Sequence, residues 1–147
     1  MTIDKVIHQY RFDSLVQKLK ARGARITSHR LVMLELLADS IGHPSAAQIY
    51  NTLRERFPTI SLATVYKTLA VLKEEGEVLE LILPVEARYD GNKPYPHPHL
   101  ICTGCSKIID GDELKSFSNA SKEIMGMYEF DVAQTQLVFY GKCKDCR

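Results

Sequence analysis

Four cysteines fall in two C-x-x-C pairs, Cys102-Thr103-Gly104-Cys105 and Cys143-Lys144-Asp145-Cys146, separated by residues 106–142. Each pair places two thiolates on one tight turn, and four thiolates suit tetrahedral zinc better than any other common ion. The stretch between the pairs is longer than in a zinc ribbon, so the metal is expected to join the start and end of one small domain as a structural staple. Redox disulfides or unrelated turns are the competing readings. A thioredoxin-like motif would sit beside a βαβ pattern, which the sequence lacks, and a catalytic zinc needs an open position that four sulfurs do not leave.

A second constellation precedes the first pair. His97-Pro98-His99 sets two imidazoles in alternation, with Asp90 and Asp110 on either side. Nitrogen and oxygen donors of this kind suit divalent iron, manganese or a second zinc, and a mixed shell of this sort leaves iron able to react with peroxide. His43, between two helical segments, is by default a surface or capping residue, with metal ligation as the sharper alternative. His97, His99 and a carboxylate could also form the facial triad of a non-haem iron enzyme, but no site for a co-substrate is evident.

The elements that must carry these groups divide in two. Phe12, Leu15, Val16 and Leu19 recur at helical spacing before Gly23, and a second helix opens at Thr27 or Ser28 and stops at Gly42. Ser45-Ala46-Ala47-Gln48 is a capping box for a third helix closed by Phe57-Pro58. Ser61 then caps a fourth, with Leu62, Val65, Tyr66, Leu69 and Leu72 as its apolar stripe and Gly76 as its end. Glu77 to Leu83 and Ala87 to Asp90 flank Pro84 as a small two-stranded element, which makes the first part a winged helix. Strands are expected over His99 to Cys102, Lys107 to Ile109 and Glu129 to Tyr140, with a helix from about Asp112 to Met125 between the last two. The fold class is α+β: a winged helix-turn-helix domain over residues 1–84 and a small α+β domain over 85–147.

The third and fourth helices, joined at Pro58-Thr59-Ile60, have helix-turn-helix spacing. That leaves Ser61, Ala63, Thr64, Lys67 and Thr68 near the open side of the fourth helix, small groups and one cation suited to a major groove. The rival reading is an ordinary amphipathic helix on a bundle surface. The cations Lys18, Lys20, Arg22, Arg25 and Arg30 favour nucleic acid, although a charge run is usually a solvated face.

The 147 residues are 45% hydrophobic and 25% charged, which excludes disordered and collagen-like chains. Net charge is only +1, but residues 1–67 hold ten Lys/Arg against five Asp/Glu, and residues 68–147 nine against thirteen. No stretch is apolar enough for a membrane span and the N-terminus lacks a secretory pattern, so a cytoplasmic location is expected. His8 reads as a solvated residue.

Taken together, G-A-R-I-T-x-x-R, H-P-S-A-x-x-I-Y, F-P-x-I-S-L-A-T-V-Y-K-T-L, H-P-H-L-I-C-x-x-C and the closing C-x-x-C resemble the ferric uptake regulator (Fur) superfamily over almost the whole chain. The resemblance implies that the α+β domain over 85–147 is a dimerisation domain, and that the homodimer binds a palindromic double-stranded DNA operator when its regulatory site is metallated. The chain looks most like the peroxide-stress repressor branch, because Asp90 and Asp110 stand where iron-sensing members typically use glutamate. That resemblance implies regulatory iron or manganese on His43, Asp90, His97, His99 and Asp110, with His43 or His97 oxidised by peroxide, and structural zinc on Cys102, Cys105, Cys143 and Cys146. It also assigns base contacts to Tyr66 and Lys67, phosphate contacts to Ser61 and Thr64, and an A/T-rich minor groove to Arg25. An iron- or zinc-responsive uptake regulator of the same fold is the alternative.

Overall fold

Leu15 and Leu19 fall on one face of the first helix, four residues apart, and both are buried. They belong to a core built with Met33, Leu34, Leu37, Ile49, Leu53, Val65, Leu69 and Leu72, which gathers four helices. The computed structural model describes residues 2–39 and 42–147. The helices are α1 (Ile3–Ala21), α2 (Ser28–Asp39), α3 (Ala46–Arg56) and α4 (Leu62–Glu74). α1 packs on α2 and α4, and α3 on the same two helices.

The helix boundaries follow local chemistry. The Thr27 hydroxyl accepts from the Arg30 amide at 3.4 Å at the head of α2, and the Ser45 hydroxyl and Gln48 side chain close the reciprocal capping box of α3. Ser61 accepts from the Thr64 amide to cap α4. Gly23 and Gly76 take φ of +70° and +69° just past α1 and α4, a left-handed conformation that costs glycine little and lets the chain turn away. The expected stop of α2 at Gly42 cannot be placed against Asp39, because residues 40 and 41 lie outside those described.

Strands β1 (Leu79–Leu81) and β2 (Arg88–Asp90) pair antiparallel, Leu79 opposite Asp90 and Leu81 opposite Arg88. This is the expected wing. The Tyr89 hydroxyl donates to Glu80 at 3.1 Å across the ribbon, and burial beside that carboxylate pushes the phenol above its ordinary range.

The chain divides into two compact units, Met1–Pro94 and Tyr95–Arg147. The sequence placed the division after residue 84, inside the ribbon; because β2 pairs with β1, the whole wing belongs to the first unit.

The second unit contains β3 (Pro98–Cys102), β4 (Ile108–Asp110), α5 (Lys115–Tyr128) and β5 (Leu137–Gly141), with strand order β4-β3-β5. β3 runs antiparallel to β4 and parallel to β5. The long strand expected from Glu129 is only Leu137–Gly141, since Glu129 takes φ +49° as the left-handed cap of α5 and the chain from 130 to 136 forms no strand. α5 starts at Lys115, three residues later than expected, and has no buried residue. Among the described residues no helix is long and apolar enough to cross a membrane.

Candidate metal centre and nucleic-acid interface

The sheet of the second unit builds both of that unit's donor sets. Parallel pairing puts Cys102, the last residue of β3, beside Gly141, the last of β5. The turns that follow each strand bring Cys105, Cys143 and Cys146 to Cys102, all four sulfurs within 4.8 Å of one another. A tetrahedral zinc with Zn–S bonds of about 2.3 Å sets its sulfurs about 3.8 Å apart; Cys105 and Cys143 lie 3.9 Å apart. The four thiols therefore lie close enough to share one zinc. Amides already point at the buried sulfur: Gly104 N and Cys143 N donate to Cys102 Sγ at 3.4 and 3.3 Å. Backbone donors, that of Cys143 first and then those of Cys105 and Gly104, lower the Cys102 thiol to about 6, while the neighbouring thiols, Cys143 first, raise Cys146 to about 12.

At the other end of β3, His97 and His99 project to one face, two residues apart, with ring centroids 4.3 Å apart. Antiparallel register sets Asp110 opposite His99, and Asp110 Oδ1 lies 3.2 Å from His97 Nε2 and 3.4 Å from His99 Nε2. Donors bound to one ion at about 2.1 Å stand about 3.0–3.4 Å apart at octahedral to tetrahedral angles, so these three groups fit a shared divalent metal. His97 Nδ1 is 2.8 Å from the Tyr95 carbonyl, which can only accept. The neutral ring thus carries its proton on Nδ1 and presents the Nε2 lone pair, the second hydrogen bond that a ligating histidine needs.

The first unit holds a smaller pair. His43 adopts φ +52° in the turn before α3 and is buried, with Nε2 3.5 Å from Asp90 Oδ2. Asp90, fully buried at the end of β2, accepts the Asn92 and Lys93 amides on Oδ1 at 2.9 and 3.1 Å, which aims Oδ2 at the imidazole. The two segments are laced together: Tyr89 N donates to Pro44 O, and Arg88 Nη1 to the His43 carbonyl and to Gln48 Oε1. The default reading of His43 as a surface or capping residue fails, because capping is done by Ser45 and Gln48 and the imidazole is 2% exposed.

On α4, Ser61, Ala63, Tyr66 and Lys67 are exposed and Thr64 is half-buried. Three assignments change. Leu62, counted in the apolar stripe by periodicity, is exposed at the first turn. Tyr66, also counted in that stripe, is 51% exposed. Thr68, expected on the open side, is buried and donates to the Thr64 carbonyl at 3.0 Å. Ser61 and Thr64 hydroxyls lie 2.9 Å apart, holding each other at the helix start. Arg25 is exposed, with its carbonyl accepting from Arg30 Nη1 at 2.6 Å. The basic cluster is smaller than its sequence count: Lys18 lies 3.9 Å from Glu77, and Arg22 pairs with Glu74 and Glu75, so both face acids at the end of α4. Arg11, the remaining cation in direct contact with Glu77, was not singled out by sequence, since a lone arginine among helical apolar positions carries no motif.

Comparison with known proteins agrees with this architecture. A sequence profile described as the ferric uptake regulator family matches residues 21–140. The peroxide-responsive repressor PerR of Staphylococcus aureus is 34% identical over 148 aligned positions, covering 100% of this chain and 99% of that protein. A solved structure of PerR from Streptococcus pyogenes, described as a basis for peroxide sensing and gene regulation, is 32% identical with a TM-score of 0.51, covering 92% of both chains. A zinc uptake regulator in complex with zinc and DNA superposes with a TM-score of 0.73 over 99% of this chain and 95% of its own; at 21% identity it supports the fold.

Proposed function

We propose that this chain, which belongs to the ferric uptake regulator family, is a metal-dependent DNA-binding transcriptional repressor that senses hydrogen peroxide. It acts as a homodimer on a palindromic operator and turns over no substrate. The observation that carries the reading is the donor set: three histidines and two aspartates without sulfur, each aspartate already facing imidazole in its own unit. The peroxide-responsive name of the S. aureus relative supports the same assignment.

In this reading Cys102, Cys105, Cys143 and Cys146 hold structural zinc, and His43, Asp90, His97, His99 and Asp110 share one iron or manganese. An ion that takes donors from both units binds only when they are close. Closure spaces the two α4 helices of the dimer for successive major grooves, so metal and DNA strengthen each other's binding by the same factor. Tyr66 and Lys67 read bases, Ser61 and Thr64 meet phosphate, and Arg25 enters an A/T-rich minor groove.

Bound iron(II) supplies the reducing equivalents that activate peroxide. The protein's part is to hold an oxidisable imidazole, His43 or His97, where the oxidant forms, and to present no thiolate in that set. An imidazole that has gained an oxygen is a poorer donor, so the units part and repression ends. The same five residues would hold manganese(II) without that oxidation.

The test is to load the zinc-bound protein anaerobically with iron(II), add stoichiometric hydrogen peroxide, and map oxygen addition by mass spectrometry while following operator release. One added oxygen on the peptide carrying His43 or His97, with DNA released and the manganese form untouched, is the expected result. An unmodified protein that releases DNA only when its metal is chelated would instead make it an iron- or zinc-responsive uptake regulator.

A further inference from the structure

Arg11 is a buried cation on the same face of α1 as Leu15 and Leu19, four and eight residues on. A guanidinium in that position persists only when its donors are matched. Nε donates to the Gly91 carbonyl at 2.6 Å, Nη1 meets Glu77 Oε2, and Nη2 donates to the Glu77 carbonyl. The planar fork thereby grips two segments at once: the residue after Asp90, and the residue after Gly76, where the chain leaves α4. The far side of Gly91 is equally constrained, since a Cβ there would sit 2.6 Å from the Leu37 carbonyl oxygen of α2. The turn bearing Asp90 is wedged between α1 and α2.

We infer that Arg11 is a positioning residue for the regulatory metal: it fixes the Asp90–Gly91 turn, and so the aim of Asp90 Oδ2, and ties that turn to the exit of α4. The inference rests on the reading of Asp90 as a ligand. With Oδ1 committed to the Asn92 and Lys93 amides, the carboxylate swings with its backbone, so any shift at Gly91 reaches Oδ2 directly. Lysine cannot replace the arginine, because a point-like ammonium cannot reach Gly91 and both oxygens of Glu77 in the fork geometry.

The test titrates manganese(II) into the zinc-loaded full chain against a competing fluorescent chelator, with metal-free melting recorded in parallel. The chains compared are wild type, Arg11→Lys, Gly91→Ala and Asp90→Asn. Loss of a partner that orients a ligand costs about 10- to 100-fold in metal affinity, and that weakening is expected for Arg11→Lys and, from the opposite side of the turn, for Gly91→Ala. A lowered melting temperature with unchanged manganese affinity in both variants, while Asp90→Asn binds weakly, overturns the inference and leaves the ligand reading standing. If Arg11→Lys does not fold, wild-type affinity in Gly91→Ala overturns it alone. Undiminished affinity in Asp90→Asn removes Asp90 from the site, and the role of Arg11 with it.

Discussion

The two units are held together by different means. In the first, fourteen of the described residues, from Leu15 to Tyr89, are buried in a continuous apolar core between four helices. In the second, the buried residues are His97, Pro98, His99 and Cys102, three of them candidate metal donors, and none of α5 is buried. Its large apolar side chains point outward instead: Ile124, Met125, Met127, Tyr128, Phe130, Phe139 and Tyr140 are all exposed. A unit of this size buries too little apolar surface to stand on its own. The contrast teaches that the first unit is specified by packing and the second by groups suited to hold metal; in the proposed homodimer, the outward face of α5 and β5 is the one available to the partner protomer.

The sharpest way to break this comparison is to remove the staple. Structural zinc supplies on the order of 10 kcal/mol of apparent folding free energy, so Cys102→Ser or zinc chelation should unfold the second unit and leave the helical signal of the first. Circular dichroism and sedimentation check it; a soluble, dimeric, zinc-free variant would refute the staple. Next come paired apolar deletions. Leu34→Ala, in the first unit's core, should cost about 2–5 kcal/mol in denaturant unfolding. Met127→Ser, 70% exposed on α5, should leave monomer unfolding unchanged and weaken dimerisation measured by ultracentrifugation. Equal loss of stability from both would erase the distinction. The smallest effect isolates what the packed unit presents: Lys67→Ala should weaken operator binding by about 1–3 kcal/mol at one base position without moving the melting temperature. A uniform loss over all sequences would mark a phosphate contact.

The same contrast explains what could be read in advance. Helices α1 to α4 were legible because spacing and caps agree, as at Ser45 and Gln48, where the reciprocal box is closed as the sequence implies. The cysteine pairs were legible because ligand chemistry leaves few alternatives. Strand length in the second unit was not: apolar residues after Glu129 imitate a strand, but with no core to face, the stretch from 130 to 136 stays irregular. Periodicity failed at Leu62, Tyr66 and Thr68 because the buried face of α4 is set by Val65, Thr68, Leu69 and Leu72, so it takes in a threonine and leaves out two apolar residues of the stripe. The charge count failed at Lys18 and Arg22 because their partners, Glu74, Glu75 and Glu77, are distant in sequence. Neither the left-handed backbone of His43 nor the grip of Arg11 on Gly91 leaves a pattern in local composition.

The pairing of β3 with β5, which sets His99 beside Val138, also bears on the order of assembly expected for the chain. Helix pairs close short loops and form early, whereas a parallel pairing across the whole of β4 and α5 must absorb a long loop closure before any contact repays it. The helical unit is therefore expected to be complete while the later sheet is still open, with α5 displaying its methionines and aromatics to solvent. Zinc capture by the four thiols is expected to close that sheet, so the supply of zinc during folding should set how much of the second unit reaches its paired state.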